Sequence, residues 1–463
     1  MSLGILLLGI NGMVELQSKE RLVFLETFGC QMNENDSERM LGLLKGLSYA
    51  RTEDPFKADL ILINTCSIRD KAEQKVYSLL GRYKELKKDK PGLIIGVGGC
   101  VAQQQGERLL KRAPHLDIVF GPQNVHKLRE LLLEADNGHR VVATRQSETI
   151  DPEEYGVTPV ESGEKAFVSI MRGCDNFCSY CIVPYTRGRE VSRQSSDILR
   201  EIEGLVSKGV VEVTLLGQNV NSYGTGGGGD VSFPELLKKV CRVDGIKRVR
   251  FVTSHPKDIS DELIYLFAEE PRLCRHIHLP VQSGSDEVLS RMGRSYTVEQ
   301  YLSKVDLIKK LYPDMAITTD IIVGFPGETD ADYEATMALL RRVRFDNIFS
   351  FMYSPRPNTR AAGYTDQVPV EIRSERLQLL QEEQKGITVA RNKALVGKAM
   401  EVLVEGASKA DPDELMGRTS CWRIVNFPAP AGVKAKPGCL IEVSITDAFP
   451  SSLRGEARLA GNN

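Results

Sequence analysis

The chain has 463 residues, 41% of them hydrophobic, and a formal net charge of −2 at pH 7. This length allows two or three domains with ordinary cores, and the near-zero charge excludes a global basic field, so RNA binding would depend on local patches. The ten cysteines are not spaced like a secreted disulfide framework, and no segment approaches the roughly 20 apolar residues of a membrane span. We therefore expect a protein of the reducing cytoplasm without membrane association.

Residues 1–20 are interpreted as a leader or tag. The segment MSLGILLLGING is apolar, but it lacks the basic region and the cleavage site of a signal peptide. Met13 is a candidate natural start.

Residues 21–147 are predicted to form an N-terminal α/β domain around a parallel sheet. Four short apolar runs are each followed by a segment with helical periodicity. The runs are LVFLET, ADLILIN, GLIIGVG and DIVF. An acidic, proline-containing stretch, residues 148–164, is interpreted as a linker.

Residues 165–394 are predicted to form a partial (β/α)6 barrel, in which functional residues gather at the carboxyl ends of the strands. Helical patterns separate six strand candidates: AFVSIM, VEVTLLG, KRVRFVTS, HIHLPV, MAITTDIIVG and NIFSFMY. A charged helix, VEIRSERLQLLQEEQKGITVARNKALV, follows them. Residues 395–460 contain the short alternating runs AMEVLVE and CLIEVSIT, which predict a small β-barrel.

A C-x3-C-x2-C motif, formed by Cys174, Cys178 and Cys181, directly follows the run AFVSIM. Three thiolates at this spacing can hold three corners of a 4Fe-4S cluster and leave one iron open to a small molecule, because full ligation needs four cysteines. Structural zinc is the main alternative, but a zinc ribbon normally brings a second pair of Cys or His nearby. No such pair follows here.

Three more cysteines, Cys30, Cys66 and Cys100, each follow a predicted strand of the first domain. Ligands collect outside the carboxyl ends of strands in an open parallel sheet, so these thiols would meet at one spot. Any one alone would be interpreted as a buried hydrophobe, but three at equivalent positions predict a second cluster with an open iron. Adjacent glycines are expected to let backbone approach this bulky group: Gly29, Gly98 and Gly99. The remaining cysteines are interpreted as core or partly exposed thiols: Cys241, Cys274, Cys421 and Cys439.

From about residue 21 to its end, the sequence resembles the methylthiotransferases of the radical S-adenosylmethionine (SAM) superfamily. The segments that carry the resemblance include ETFGCQMNENDSERM, INTCSIRDKAEQKVYSLLGR, MRGCDNFCSYCIVPYTRGRE, HIHLPVQSGSDEVLSRM and DIIVGFPGET, with VNFPAP and DAFPSSLRGEA of a TRAM RNA-binding domain. The run QMN after Cys30 and the run SIR after Cys66 resemble the MiaB-type branch, which acts on isopentenyladenosine in tRNA.

The resemblance implies insertion of sulfur and a methyl group at C2 of N6-isopentenyladenosine at position 37, next to the anticodon. It implies SAM and two 4Fe-4S clusters. The cluster at Cys174, Cys178 and Cys181 would cleave SAM to a 5′-deoxyadenosyl radical, because the C2 hydrogen is not acidic enough for acid-base catalysis. The other cluster would supply the sulfur, methylated by another SAM. The implied partners are a tRNA anticodon stem-loop and a reducing electron donor, and we expect a monomer.

Several residues are expected to contact SAM. Gln218 is expected to bind the amino group and Ser254 the ribose, and Tyr180 either stacks on adenine or packs internally. A late strand is expected to approach the adenine with the residues Asp320, Gly324 and Phe325. Basic residues past the cluster loop would bind the SAM carboxylate or RNA phosphate, or form a solvated face: Arg187, Arg189 and Arg193.

The terminal barrel combines aromatic and basic residues, which suits single-stranded loops whose bases are splayed and stacked. Trp422 and Phe427 are interleaved with the basic residues, which are Lys398, Lys409, Arg418, Arg423, Lys434, Lys436, Arg454 and Arg458. Because acidic residues are almost as numerous, a neutral barrel is the alternative from composition. The target nucleotide would be extruded from its stack.

Two other functions compete with this interpretation. The nearest is a methylthiotransferase that acts on a ribosomal protein or on threonylcarbamoyladenosine in tRNA. A function of another class is a non-catalytic iron-sulfur regulator that binds RNA, which would bind iron without cleaving SAM.

Overall fold

The computed structural model describes residues 20–67, 72–156, 163–409, 411–429 and 436–458. Some sequence-based expectations lie outside these residues: the leader up to residue 19, the candidate start Met13, Ile68 and Arg69 of the SIR run, residues 157–162 of the predicted linker, and Lys434. In the described part of the chain, we find no helix that is long and apolar enough to span a bilayer.

The N-terminal domain is built on a six-stranded parallel sheet of order β2-β1-β3-β4-β5-β6. Its elements are β1 (Arg21–Phe28), α1 (Gln31–Lys45), β2 (Tyr49–Arg51), β3 (Leu60–Thr65), α2 (Ala72–Asp89), β4 (Ile94–Gly99), α3 (Cys100–Gln105), α4 (Glu107–Arg112), β5 (Ile118–Phe120), α5 (Leu128–Asp136) and β6 (Val141–Ala143). The predicted parallel sheet is confirmed. The edge strands β2 and β6 were not predicted, because three residues are too short for a recognisable period.

The first part of the predicted linker packs against both neighbouring domains instead of crossing solvent. A 3₁₀ turn covers Pro152–Tyr155, where Asp151 Oδ1 accepts the backbone N–H of Glu153. Glu154 is buried, and the ring of Tyr155 lies between the guanidinium groups of Arg39 and Arg193, 4.6 and 4.2 Å from its centroid. These contacts fix the turn of this predicted linker between the N-terminal and central domains.

The central domain carries the six predicted strands in two three-stranded parallel sheets, β7-β10-β11 and β12-β13-β14. Its elements are β7 (Lys165–Ser169), β8 (Met171–Arg172), α6 (Val183–Arg187), β9 (Val191–Ser192), α7 (Ser195–Val206), β10 (Glu212–Leu216), α8 (Phe233–Cys241), β11 (Arg248–Phe251), α9 (Asp261–Glu269), β12 (His276–His278), α10 (Asp286–Arg291), α11 (Val298–Leu311), β13 (Ala316–Val323), α12 (Asp330–Val343), β14 (Asn347–Met352) and α13 (Val370–Lys393). One continuous core joins the strands to the helices.

The C-terminal domain is a closed five-stranded barrel of order β15-β16-β17-β19-β18, as predicted. Its strands are β15 (Ala399–Ala407), β16 (Glu414–Thr419), β17 (Ile424–Pro428), β18 (Leu440–Ala448) and β19 (Leu453–Ala457). The barrel docks on the amino ends of the central strands. There Arg248 donates to the carbonyl of Arg418 at 2.7 Å, and Arg250 donates to the carbonyls of Thr419 and Ser420.

Candidate active site

The three N-terminal cysteines lie at one edge of the first sheet. Cys30 follows β1 at the start of α1, Cys66 follows β3, and Cys100 begins α3 directly after β4. Because β1, β3 and β4 are neighbours in the sheet, their carboxyl ends present all three residues on the same side. A hydrogen bond between the Cys30 and Cys66 thiols lowers the pKa of Cys30 to about 6, whereas burial raises the pKa of Cys100.

The glycines beside these cysteines allow close approach of protein groups. Gly29 has a φ of +141°, and a Cβ there would collide with Cys66 and Asn33. A Cβ on Gly98 would enter the ring of Phe120, and one on Gly99 would meet the backbone of Thr65. These glycines are therefore required by the packing of the protein itself.

The second triad lies in the loop that follows β8. The Cys174 sulfur accepts from Asn176 Nδ2 at 3.5 Å, and the Cys178 sulfur accepts from Arg294 Nη1 at 3.7 Å. Burial raises the pKa of Cys174 and raises that of Cys181 to about 12. Protonated thiols in this loop must lose their protons when they bind metal, so ligation is coupled to pH.

Two distant segments hold this loop in place. Ser179 donates its N–H to the carbonyl of Met292 and its hydroxyl to the carbonyl of Arg291, both at 2.8 Å. The carbonyl of Ser179 accepts from the N–H of Ala361 at 2.8 Å. The loop is thus fixed by segments beyond β12 and β14, although nothing in its own sequence indicates these partners.

Among the described residues, no three His, Cys, Asp or Glu side chains converge closely enough to hold a single metal ion. A 4Fe-4S cluster differs from a single ion, because each thiolate binds a different iron of an extended group. The ligand thiols of a 4Fe-4S cluster therefore lie farther apart than the ligands of a single metal ion.

Gln218 and Ser254 lie at the carboxyl ends of neighbouring strands and keep unpartnered polar atoms. The Gln218 side-chain oxygen accepts the N–H of Gly173, next to Cys174, while its buried Nε2 has no hydrogen-bond partner. The buried hydroxyl of Ser254 also lacks a partner. Buried polar atoms are normally satisfied, so these atoms fit a polar ligand at this rim.

Three further side chains on this part of the barrel were missed by the sequence analysis. Asn221 Nδ2, His255 Nε2 and Glu190 Oε1 are also buried without a partner. Burial lowers the pKa of His255 to about 2 and raises that of Glu190 to about 7. The TSH run contains His255 and the GRE run contains Glu190. A sequence does not show whether a buried side chain has a hydrogen-bond partner.

The other residues expected to contact SAM have protein neighbours. The Tyr180 ring packs edge-on against Phe325 at 6.5 Å, within a small apolar cluster. Asp320 lies 3.3 Å from His278 Nε2. Gly324 has a φ of +68°, and a Cβ there would collide with the Arg373 side chain. Glycine is therefore required at position 324 because the backbone is left-handed there and the Arg373 side chain leaves no space for a Cβ.

The three arginines past the cluster loop have different surroundings. Arg189 is exposed and pairs with Asp175 at 2.9 Å. Arg187 and Arg193 are buried, so the solvated-face alternative is wrong for both. The Arg193 Nη1 donates to the Ser169 carbonyl at 2.6 Å, and its guanidinium also lies on Tyr155. These internal contacts do not support the expected role of Arg193 in binding SAM.

Two large aromatic residues on β14 are exposed, Phe349 at 52% and Phe351 at 43%. Ile348, directly before Phe349, is buried in the core, and side chains alternate between the two faces of a strand, so the two rings share the face opposite to Ile348. They register with Asp320 and Ile322 of β13. This aromatic surface was also missed, although the alternation in NIFSFMY was its signal.

The two aromatic residues predicted to face RNA, Trp422 and Phe427, both pack against protein groups. Phe427 is 0% exposed and belongs to the barrel core. Trp422 stacks on His276 of β12 and lies 4.5 Å from the Arg250 guanidinium. The prediction that Phe427 contributes to an RNA surface was therefore wrong, whereas Phe449 of the same domain is 49% exposed.

Several basic residues of this barrel are paired with carboxylates. Arg423 pairs with Asp346, and Arg454 with Glu414. The other pairs are Lys398–Asp314, Arg418–Glu405 and Arg458–Glu442. These pairs reduce the net positive charge that the barrel can offer to phosphate.

Three family models match the chain. They are "Uncharacterized protein family UPF0004" at residues 22–121, the radical SAM superfamily at residues 168–340 and the TRAM domain at residues 393–457. The predicted three-part architecture agrees with all three.

Curated relatives match the chain over nearly their whole length. A tRNA-2-methylthio-N(6)-dimethylallyladenosine synthase of Geotalea uraniireducens (strain Rf4) is 52% identical over 95% of this chain and 99% of its own. The protein of the same name from Geobacter metallireducens is 53% identical over 94% and 98%. That of Burkholderia thailandensis is 48% identical over 95% and 97%. The predicted family is confirmed.

Solved structures share the fold. A radical S-adenosylmethionine methyltransferase, TsrM, from Kitasatospora setae with cobalamin and a [4Fe-4S] cluster bound has a TM-score of 0.55, with 16% identity over 74% of each chain. The cobalamin-dependent S-adenosylmethionine radical enzyme OxsB has a TM-score of 0.50, with 14% identity over 80% of this chain and 56% of its own. At these identities the similarity concerns the fold alone.

Proposed function

The chain belongs to the family of tRNA-2-methylthio-N(6)-dimethylallyladenosine synthases, and on that premise we propose that it methylthiolates C2 of N6-isopentenyladenosine at position 37 of tRNA. The observation that carries the proposal is the pair of cysteine triads on two docked domains, one at the carboxyl ends of three parallel strands and the other in the loop that follows β7 and β8. Methylthiolation needs one cluster to cleave SAM and another to supply sulfur. A purely structural iron site would not explain a second cysteine triad.

The residues fit the cofactors that this reaction requires. Cys174, Cys178 and Cys181 would hold one 4Fe-4S cluster, and the N-terminal triad the other. When bound, these clusters and SAM supply the electron, the radical chemistry, the sulfur and the methyl group. Gln218 and Ser254 would bind the polar groups of SAM, because their buried Nε2 and Oγ lack protein partners.

We further propose that Phe349 and Phe351 receive the target base. Base stacking on aromatic side chains is favourable and independent of sequence, and an isopentenyl group adds apolar area that such a surface can bury. Half-exposed rings on one face of β14 suit a nucleotide that has been extruded from its loop.

Assignments of partners and location follow from the same proposal. We propose that residues 21–147 hold the sulfur-supplying cluster, residues 165–394 the radical chemistry, and residues 395–460 a TRAM domain that contacts the anticodon stem-loop. The protein would act as a monomer in the cytoplasm with a reducing electron donor. Support comes from its ten free cysteines, which suit a reducing compartment.

The test is mass spectrometry of RNA after reaction with anaerobically reconstituted protein. An anticodon stem-loop bearing isopentenyladenosine should gain one methylthio group in place of hydrogen, and an unmodified stem-loop should not. A mass gain on a ribosomal protein instead would support the competing methylthiotransferase. Iron binding without SAM cleavage would support the regulator.

A further inference from the structure

Arg187 belongs to the central domain but contacts the N-terminal triad. It is the last residue of α6, which begins just after the Cys181 loop. Helix α6 packs against α3, which begins at Cys100, and the guanidinium lies near enough to Cys100 and Cys30 for its positive charge to act on the pKa of both thiols. The same guanidinium donates to Asp36 Oδ2 of α1 at 2.8 Å.

The Arg187–Asp36 pair is shielded from water, with side chains only 7% and 4% exposed. The backbone of Arg187 is also held, because its carbonyl accepts from Gln123 Nε2 at 2.9 Å. A buried charge persists only where it is paired and hydrogen-bonded. These contacts therefore hold the guanidinium in a single position beside the N-terminal cysteines.

The surroundings carry a surplus of positive charge. Three buried arginine side chains meet two buried carboxyl groups at this domain boundary: Arg39, Arg172 and Arg187 with Asp36 and Glu154. Thiolates bound to an iron-sulfur cluster bring negative charge, so this surplus is complementary to a cluster.

We propose that Arg187 is a positioning residue of the N-terminal cluster, which holds the Cys100 ligand and raises the reduction potential of the cluster. A fixed cation favours the reduced form because that form carries one more negative charge. The proposal rests on the proposed function in one respect, that the N-terminal triad holds a cluster.

Docking of the domains is then part of this cluster site. Gly188, directly after Arg187, accepts the N–H of Cys174 through its carbonyl at 3.2 Å. One short segment therefore touches both triads, and the N-terminal cluster has its full electrostatic environment only when the central domain is in place.

The test uses the full chain with Cys174, Cys178 and Cys181 all replaced by Ala, so that only the N-terminal cluster remains. Its reduction potential is measured by titration followed by electron paramagnetic resonance, and its stability by the rate of iron loss to a chelator. Arg187→Gln should lower the potential and speed iron loss about tenfold, since a fixed positive charge beside the ligand thiolates is lost. Arg187→Lys should restore much of the potential.

Asp36→Asn gives a sign test, because removal of a nearby negative charge should raise the potential. Arg189→Gln is the matched control, as an exposed arginine paired with Asp175, and should leave both readouts unchanged. Equal potentials in the parent, Arg187→Gln and Asp36→Asn proteins would overturn the inference. If Arg187→Gln does not fold, the test is the potential of Asp36→Asn, which should exceed that of the parent, and that of Arg187→Lys, which should stay close to the parent. Equal potentials in the parent and Asp36→Asn proteins would then overturn the inference. A parent that binds no iron would overturn the proposed function as well.

Discussion

The indole ring of Trp422 stacks on the imidazole of His276, with ring centroids 5.9 Å apart and 25° between the ring planes. Trp422 belongs to the C-terminal domain, and His276 is the first residue of β12. The contact therefore joins the C-terminal domain to the amino end of this central strand. Beside it, Arg250 pairs with Glu212 at 3.0 Å under the cover of the barrel. The C-terminal domain therefore contributes to the stability of the catalytic domain besides any contact with RNA.

Trp422→Ala should destabilise the docked domains by about 2 kcal/mol, below the range for a fully buried aromatic side chain, because Trp422 is only partly buried. Urea denaturation of the apo protein, followed by circular dichroism, measures this change. Phe56→Ala is the control, because Phe56 is 71% exposed and should cost less than about 0.5 kcal/mol. Equal midpoints for the two variants would contradict the role of the stacked pair.

Ser254→Ala should weaken SAM binding about two- to tenfold, the value of one neutral hydrogen bond. The variant should keep the stability of the parent, because the buried hydroxyl has no protein partner to lose. Isothermal titration of SAM into the reconstituted protein, combined with thermal unfolding, separates the two effects. A stability loss with unchanged SAM affinity would show that Ser254 has a purely structural role.

Glu190 should make the stability of the apo protein depend on pH. Burial raises its pKa from an ordinary 4.5 to about 7, so the folded state holds a proton that the unfolded state has released between these values. Stability from this group is complete below pH 4.5 and declines as pH rises to about 7. Glu190→Gln should flatten this slope in urea denaturation at several pH values, while the exposed control Glu382→Gln should retain it. A slope unaffected by Glu190→Gln would refute the assignment.

The sequence predicted the positions of the cysteines well but not the contacts between domains. Cys30, Cys66 and Cys100 follow apolar runs, and the rules of parallel sheets suffice to bring the ends of such strands together. The pairing of Arg187 with Asp36 joins residues 151 positions apart, which no local pattern encodes. Trp422 was interpreted as an exposed platform because composition does not tell which aromatic residues are covered by a neighbouring domain.

Phe351→Ala should reduce kcat/KM for the isopentenylated stem-loop by about tenfold or more, because stacking of a base on an aromatic side chain contributes about 1 to 3 kcal/mol. Cleavage of SAM without RNA should be unchanged, since Phe351 is assigned only to the substrate. Phe56→Ala again serves as the control for loss of an exposed ring. Steady-state kinetics with mass spectrometric detection gives both rates, and equal kcat/KM values for the two variants would remove β14 from the substrate site.

The central claim is the division of chemistry between the two triads, and one measurement tests it most directly. Replacement of Cys30, Cys66 and Cys100 by Ala should leave the other cluster intact, with about half of the parent's iron. Liquid chromatography with mass spectrometry then quantifies 5′-deoxyadenosine and methylthiolated nucleoside in the same anaerobic reaction. The account predicts that 5′-deoxyadenosine still forms while the methylthiolated nucleoside is absent. Loss of both products with the remaining cluster intact, or formation of both, would contradict it.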